Sequence, residues 1–213
     1  MALPARYLVD VTAVYFCFAL AILRTVPRVR PGDGLGAANR VTLVRATLVL
    51  PLASLPLHTT TSDARDLWWI IAVAAIAMAL DGVDGWVARR YGATAFGARF
   101  DMELDAFLLL VLSLLVWQTG NVGPWVLIIG GLRYFFVLAG RVWPCLRGDL
   151  PPRWRRKAGC VVQGAALLFC LLPMVSPVGA IAVAGAAATG LVISFAIDVA
   201  WLITHATPSR DHV

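Results

Sequence analysis

Charge is what this sequence has least of. Asp, Glu, Lys and Arg make up 14% of its 213 residues, against 60% hydrophobic ones, and the mean hydropathy is +0.81. A soluble domain of this length has too little interior to hide so much apolar surface, so part of its solvent must be lipid. Lysine is almost missing: the net charge of +6 rests on 17 arginines and Lys157. In a membrane protein that balance reports orientation before partners, and no nucleic-acid partner is expected. The four cysteines, Cys17, Cys145, Cys160 and Cys170, show no paired spacing and read as small buried hydrophobes. His58, His205 and His212 have no ligand spacing and read as surface residues near membrane ends.

What the chain does have is apolar runs, at 7–23, 41–57, 67–88, 100–118, 124–142, 158–175 and 178–204. A helix rises about 1.5 Å per residue, so about 20 residues cross the hydrocarbon core. The last six runs reach or approach that length. The first is short, contains Asp10 and ends in "RTVPRVRPGDG", which cannot continue a helix. It has no small-x-small cleavage site and reads as an uncleaved helix, spanning or interfacial. The fold expected is all-α: a polytopic membrane bundle of six core helices plus this N-terminal helix. Residues 1–35 form the N-terminal helix and linker, 36–205 the transmembrane domain, and 206–213 a short tail.

Arginine placement orients the bundle. Arg24, Arg28, Arg30 and Arg40 precede the first core span. Arg89, Arg90 and Arg99 join the second to the third, and a run from Arg141 to Lys157 joins the fourth to the fifth. The alternate loops carry only Arg65. The positive-inside rule puts the arginine-rich links in the cytoplasm, as for a bacterial inner membrane.

Against this background "ALDGVDGWVARRYGATAFGARFDMELDAFLLL", residues 79–110, is anomalous. Asp81, Asp84, Gly85 and Ala88 fall on one helical stripe, and Gly97, Asp101 and Asp105 on a second, because steps of three, four and seven residues return to nearly the same angle. The short link "RYGATA" makes the two helices antiparallel neighbours, so the stripes can face each other near the cytoplasmic end. Four carboxylates at lowered dielectric repel strongly. Divalent cations relieve that repulsion; hard oxygen ligands suit Mg²⁺ or Mn²⁺, with positions left for substrate phosphates. Gly85, Ala88 and Gly97 leave room for a bulky anion, and Arg89 and Arg90 can meet its oxygens.

"DGVDGWVAR" followed by "GARFDMELD" resembles the CDP-alcohol phosphotransferase signature, D-x-x-D-G-x-x-A-R … G-x-x-x-D-x-x-x-D. All eight fixed positions are filled, by Asp81, Asp84, Gly85, Ala88, Arg89, Gly97, Asp101 and Asp105. Upstream, "NRVTLVR" resembles the family's N-x-x-T-x-x-R through Asn39, Thr42 and Arg45. The resemblance implies a phosphatidyltransferase that moves the phosphatidyl group of CDP-diacylglycerol to the hydroxyl of a small polar alcohol and releases CMP. It implies two ions, Mg²⁺ or Mn²⁺, on Asp81, Asp84 and Asp101, with Asp105 at the edge of the second site and acting as general base. Asn39, Thr42, Gly85, Ala88, Arg89 and Gly97 would surround the cytidine diphosphate.

The acceptor is less sharply marked. Arg133 and Arg141, eight residues apart, and Lys157, Cys160 and Gln163 resemble the R-x7-R and K-x-x-T-x-x-Q patterns of phosphatidylglycerophosphate synthases, with cysteine for threonine. They imply a phosphate-bearing acceptor such as glycerol 3-phosphate. The chain departs from those relatives at "FDMELDA", where Ala106 replaces their lysine and Glu103 adds a negative charge. Inositol phosphate, serine, inositol and choline therefore stay open, as does a homodimer. Glu103 points off the stripe and reads as solvated or arginine-paired. Two other classes are weighed against this reading. A membrane prenyltransferase lacks the D-G-x-x-A-R continuation, and a cation transporter calls for acidic sites near mid-membrane.

Overall fold

The computed structural model describes residues 5–25, 37–58, 64–91, 95–143 and 154–205. Among them every regular element is helical, as the apolar runs require: α1 (Ala5–Thr25), α2 (Ala37–Ser54), α3 (Ala64–Tyr91), α4 (Ala95–Gln118), α5 (Leu127–Val142), α6 (Trp154–Leu171) and α7 (Pro177–His205). Short 3-10 turns follow α2 at Leu55–Leu57 and precede α5 at Pro124–Val126. Pro177 opens α7 and Pro124 opens the turn before α5, where a fixed φ helps and no N–H is missed. Between α4 and that turn, Gly120 has φ +75°, a left-handed conformation open to glycine at little cost.

Cross-helix contacts fix the direction of each element. Arg45 of α2 reaches Asp101 and Asp105 of α4, while Gln118 at the far end of α4 donates to the Pro56 carbonyl just beyond α2. Those two helices are parallel. Arg45 also reaches Ala77 and Asp81, so the C-terminal half of α3 lies beside the N-terminal half of α2. Arg133 of α5 meets Glu103 of α4. Gln163 and Cys170 of α6 bond the carbonyls of Ala187 and Ala180 of α7 in antiparallel order. The chain thus runs back and forth, and its apolar core lies along α2, α3, α4 and the adjoining faces of α6 and α7.

Two helices, α3 over Ala64–Val83 and α7 over Pro177–Thr204, are long and apolar enough to cross a membrane. Only 22% of each is buried within the protein, so neither is the core helix of a water-soluble fold. Shorter apolar helices cover Val41–Leu57, Pro124–Gly140 and Ala158–Leu171. Apolar side chains such as Trp69, Ile76, Phe135, Leu138 and Val162 stand on the outside. Cys17 and Cys160 are also on the outside, contrary to their reading as buried hydrophobes; Cys170 alone of the described cysteines is buried.

α1 packs on α2 through polar contacts, one of which fills a gap that α2 itself leaves. Pro51 lies inside α2 and has no N–H, so the carbonyl of Thr47 loses its helical partner. The hydroxyl of Tyr15 donates to that carbonyl at 2.8 Å, and the hydroxyl of Tyr7 donates to the carbonyl of Pro51 at 3.0 Å. Further along, Asp10 accepts from or pairs with His58 Nε2 at 2.6 Å, and the ring of Tyr7 meets that of His58 edge-on. His58 is therefore not the surface residue its scattered position suggests: its side chain is 8% exposed. Phe18 stacks on Phe100 at the opposite end, so α1 lies antiparallel to α2 along its length.

Among the described glycines the tightest fit between helices is at Gly130. A Cβ there would lie 2.3 Å from Leu110 Cα and 2.7 Å from Ser113 Oγ, so α5 rests directly on the backbone of α4. Gly130→Ala is expected to push the two apart and cost about 1–3 kcal/mol, read as a lower thermal midpoint in detergent. Tyr15→Phe should cost about 1 kcal/mol by leaving the Thr47 carbonyl unpaired. In a Pro51→Ala background that cost should largely vanish, because the new N–H at position 51 takes over the carbonyl; a double-mutant cycle of unfolding free energies checks it.

Candidate functional site

The site is built where α2, α3 and α4 meet. Asp101 and Asp105 stand one turn apart on α4, and Asp81 lies near the C-terminal end of α3. Their carboxylates converge: one oxygen from each lies within 4.8 Å of the others. At the centre is Arg45, whose side chain is fully buried. Its Nη1 donates to Asp81 Oδ1 at 3.0 Å and to Asp101 Oδ1 at 2.5 Å, and its Nη2 donates to Asp105 Oδ1. From behind, Nε donates to the Ala77 carbonyl at 3.1 Å.

Burial is asymmetric across this cluster. The guanidinium is shut away from solvent, while the side chains of Asp81, Asp101 and Asp105 are 29%, 32% and 22% exposed. The arginine forms the floor and the carboxylates form an open rim. Beside them lies a cavity of about 190 Å³, lined by Arg45, Asp81 and Asp105 together with Met78, Leu109 and Cys160. Acidic groups thus meet an apolar wall supplied by α3, α4 and α6.

The donor set fits a divalent cation. Carboxylate oxygens are the hard ligands Mg²⁺ and Mn²⁺ take, and an octahedral ion holds oxygens at about 2.0–2.1 Å, so opposite ligands lie about 4.2 Å apart. Oxygens within 4.8 Å need only small side-chain shifts to share an ion. Among the described residues three carboxylates share one guanidinium, so negative charge is left over that divalent cations would offset.

The other residues expected at the site are distributed as follows. Gly97 is buried one turn before Asp101, and Gly85 is half-buried one turn after Asp81. Thr42 is buried on α2, one turn before Arg45. The side chains of Asn39, Asp84, Ala88, Arg89, Arg141 and Lys157 lie outside the described residues. Gln163 is buried with its Nε2 on the Ala187 carbonyl of α7 at 2.9 Å. Arg133 donates from Nη2 to Glu103 at 2.6 Å, which makes Glu103 the arginine-paired residue its position off the stripe allowed.

Arg45 is the member of this cluster that sequence reasoning left out of the site. It entered only as the last letter of "NRVTLVR". A signal was available: an arginine in an apolar run is a functional residue by default, and its natural partners are carboxylates on neighbouring helices.

A protein-family model for CDP-alcohol phosphatidyltransferase matches residues 35–197. No curated protein and no solved structure gives a match. The matched span begins just before α2, ends within α7 and contains Arg45 and all three clustered aspartates. The family uses divalent cations and moves a phosphate-containing group from a CDP-alcohol to an alcohol acceptor. On a match over most of its length, the chain belongs to the CDP-alcohol phosphatidyltransferase family.

Proposed function

We propose that the protein transfers the phosphatidyl group of CDP-diacylglycerol to the hydroxyl of a small polar alcohol and releases CMP. The observation that carries this reading is the convergence of Asp81, Asp101 and Asp105 into one open-rimmed cluster beside an apolar cavity, inside the matched span. Polar and apolar surfaces meet there, as a diphosphate linked to a lipid requires.

In this reading Asp81, Asp84, Asp101 and, at the edge, Asp105 hold two ions, Mg²⁺ or Mn²⁺. Such ions, when bound, neutralise the diphosphate and ease the departure of CMP. Asn39, Thr42, Gly85, Ala88, Arg89 and Gly97 surround the cytidine diphosphate. Asp105 takes the proton of the acceptor hydroxyl. The acceptor oxygen then bonds to the phosphorus that carries diacylglycerol, and the bond from that phosphorus to the bridging oxygen breaks, with the electron pair leaving on CMP.

One observation bears on the acceptor. A phosphate on it would draw on Arg133, Arg141, Lys157 and Gln163, yet Arg133 is bonded to Glu103 and Gln163 to α7. The exposed pair uses Nη2 of Arg133 and leaves its buried Nε without a partner, so phosphorylated acceptors such as glycerol 3-phosphate or inositol phosphate and unphosphorylated ones such as serine, inositol or choline all belong in the test.

The same reading places α2 to α7 across the membrane as six core spans, with the site on the cytoplasmic face. The alternating helix directions and the outward-facing apolar side chains support it. So do Trp68, Trp69, Trp117 and Trp125, which are exposed near one end of the bundle, and Trp143, which is exposed near the other. α1 lies along α2 from His58 to Phe100, so a bilayer that contains α2 also contains α1 as a seventh span.

Purified protein incubated with CDP-diacylglycerol, Mg²⁺ and a panel of acceptor alcohols should release CMP with at least one of them; no release with any would overturn the reading. Asp101→Asn should abolish transfer while the protein still inserts and folds, because the amide keeps size but loses the charge that holds cations. Near-normal turnover of that variant at ordinary Mg²⁺ would remove the aspartate from the metal site. Asp105→Asn should lower turnover by about 100- to 10,000-fold with a much smaller change in donor affinity. Steady-state kinetics against donor concentration separates the two quantities.

A further inference from the structure

We infer that Arg45 is the positioning residue of the cation site: it stays in place when the cation binds, and it sets the carboxylates that receive it. This rests on the proposal that Asp81, Asp101 and Asp105 hold the metal. The alternative is that the guanidinium occupies the cation's own place and has to leave.

Three features of the geometry favour the fixed role. The first is the anchor behind the side chain: Nε donates to the Ala77 carbonyl at 3.1 Å, in the body of α3. A guanidinium leaving the cluster would have to give up that bond and find new acceptors in an apolar interior, at a high cost for an ion. The second is burial. Arg45 is wholly enclosed while the aspartate side chains are 22% to 32% exposed, so the arginine lies on the closed side and a cation arrives from the open side. The third is the choice of atoms. Arg45 meets the same oxygen, Oδ1, of all three aspartates, so a single group sets the orientation of the three carboxylates.

A planar fork suits this task. Nη1 bridges Asp81 and Asp101, helices α3 and α4 respectively, while Nη2 holds Asp105 one turn further along α4. One rigid group thereby fixes the relative orientation of three ligands from two helices, as the partners of metal ligands do elsewhere. A lysine ammonium carries the same charge but is a compact point donor on a flexible stem, and it cannot reach three carboxylates and the Ala77 carbonyl together. The arginine also offsets part of the negative charge that the carboxylates bring together.

Arg45→Lys tests the inference through binding, independently of turnover. Mn²⁺ is titrated into detergent-solubilised protein without donor or acceptor, and free Mn²⁺ is read by electron paramagnetic resonance at a temperature where circular dichroism shows each protein folded. Loss of such a supporting contact typically weakens metal affinity about 10- to 100-fold, and that is the expected result. Unchanged or tighter Mn²⁺ binding by Arg45→Lys would overturn it, since removing a mere occupant of the site should help the cation.

Wild-type protein and Asp101→Asn serve as references. Mn²⁺ binding by the wild type that is lost in Asp101→Asn, together with normal binding by Arg45→Lys, would sink the positioning role and leave the metal site standing. Folded wild type that binds no Mn²⁺ would overturn both. A second measurement needs no variant: in protein with ¹⁵N-labelled arginine, the buried Nε–H of Arg45 should exchange slowly with and without saturating Mg²⁺. Loss of that protection on adding Mg²⁺ would mean that the guanidinium leaves, and would refute the inference.

Discussion

A guanidinium cut off from solvent cannot be left unpaired in an apolar interior, and Arg45 meets that constraint by binding Ala77, Asp81, Asp101 and Asp105 at once. Its partners come from the two helices packed beside it. The rotation of α3 about its axis is limited by the need to present both the Ala77 carbonyl and the Asp81 carboxylate to one side chain. The rotation of α4 is limited by Asp101 and Asp105 in the same way. The charges that make this region costly to bury therefore also specify how the three helices meet, and they do so at the point where the chemistry is proposed to occur.

Away from that point the bundle relies on close contact between small or backbone groups. Gly130 lets α5 lie on the backbone of α4, and Gly164 faces the flexible end of Met78. Apolar helices in lipid gain little from hiding apolar surface from one another, so packing and interhelical hydrogen bonds carry more of their association. The contacts of Tyr7 and Tyr15 with α2 belong to the second kind. Pro51 opens a gap in the hydrogen bonding of α2, and a helix outside the matched span closes it. α1 is thus tied to α2 at a site that α2 itself creates.

The functional region joins two kinds of surface. Carboxylates partly open to solvent and the side chains of Met78, Leu109 and Cys160 line one cavity of about 190 Å³. A donor made of a nucleotide diphosphate and a diacylglycerol has the same division, with its reacting phosphorus at the boundary. The chain belongs to the CDP-alcohol phosphatidyltransferase family, whose donor is a CDP-alcohol. Arg133 and Glu103 pair with each other where α5 meets α4.

The sequence by itself determined the helical class and the helical stripes carrying the aspartates, because both depend on spacing along one chain: apolar runs near membrane length, and acidic residues at steps of three and four. It also supplied the family signature, since eight fixed letters lie within 25 consecutive positions. Only the tertiary structure decided what each polar side chain faces. Arg45 was visible as a charge in an apolar run, but its hold on three aspartates depends on how α2, α3 and α4 are rotated against one another, which no period within a helix encodes. His58 lay near the end of a run and looked like a surface residue, yet it is enclosed by a helix that begins 53 positions earlier in the chain. Arg133 has the spacing of a phosphate ligand, and what spacing does not show is that it also meets Glu103, because α5 packs against α4 with that carboxylate within reach. Local spacing fixes which face of a helix a residue occupies; the packing of neighbouring helices determines what lies opposite that face.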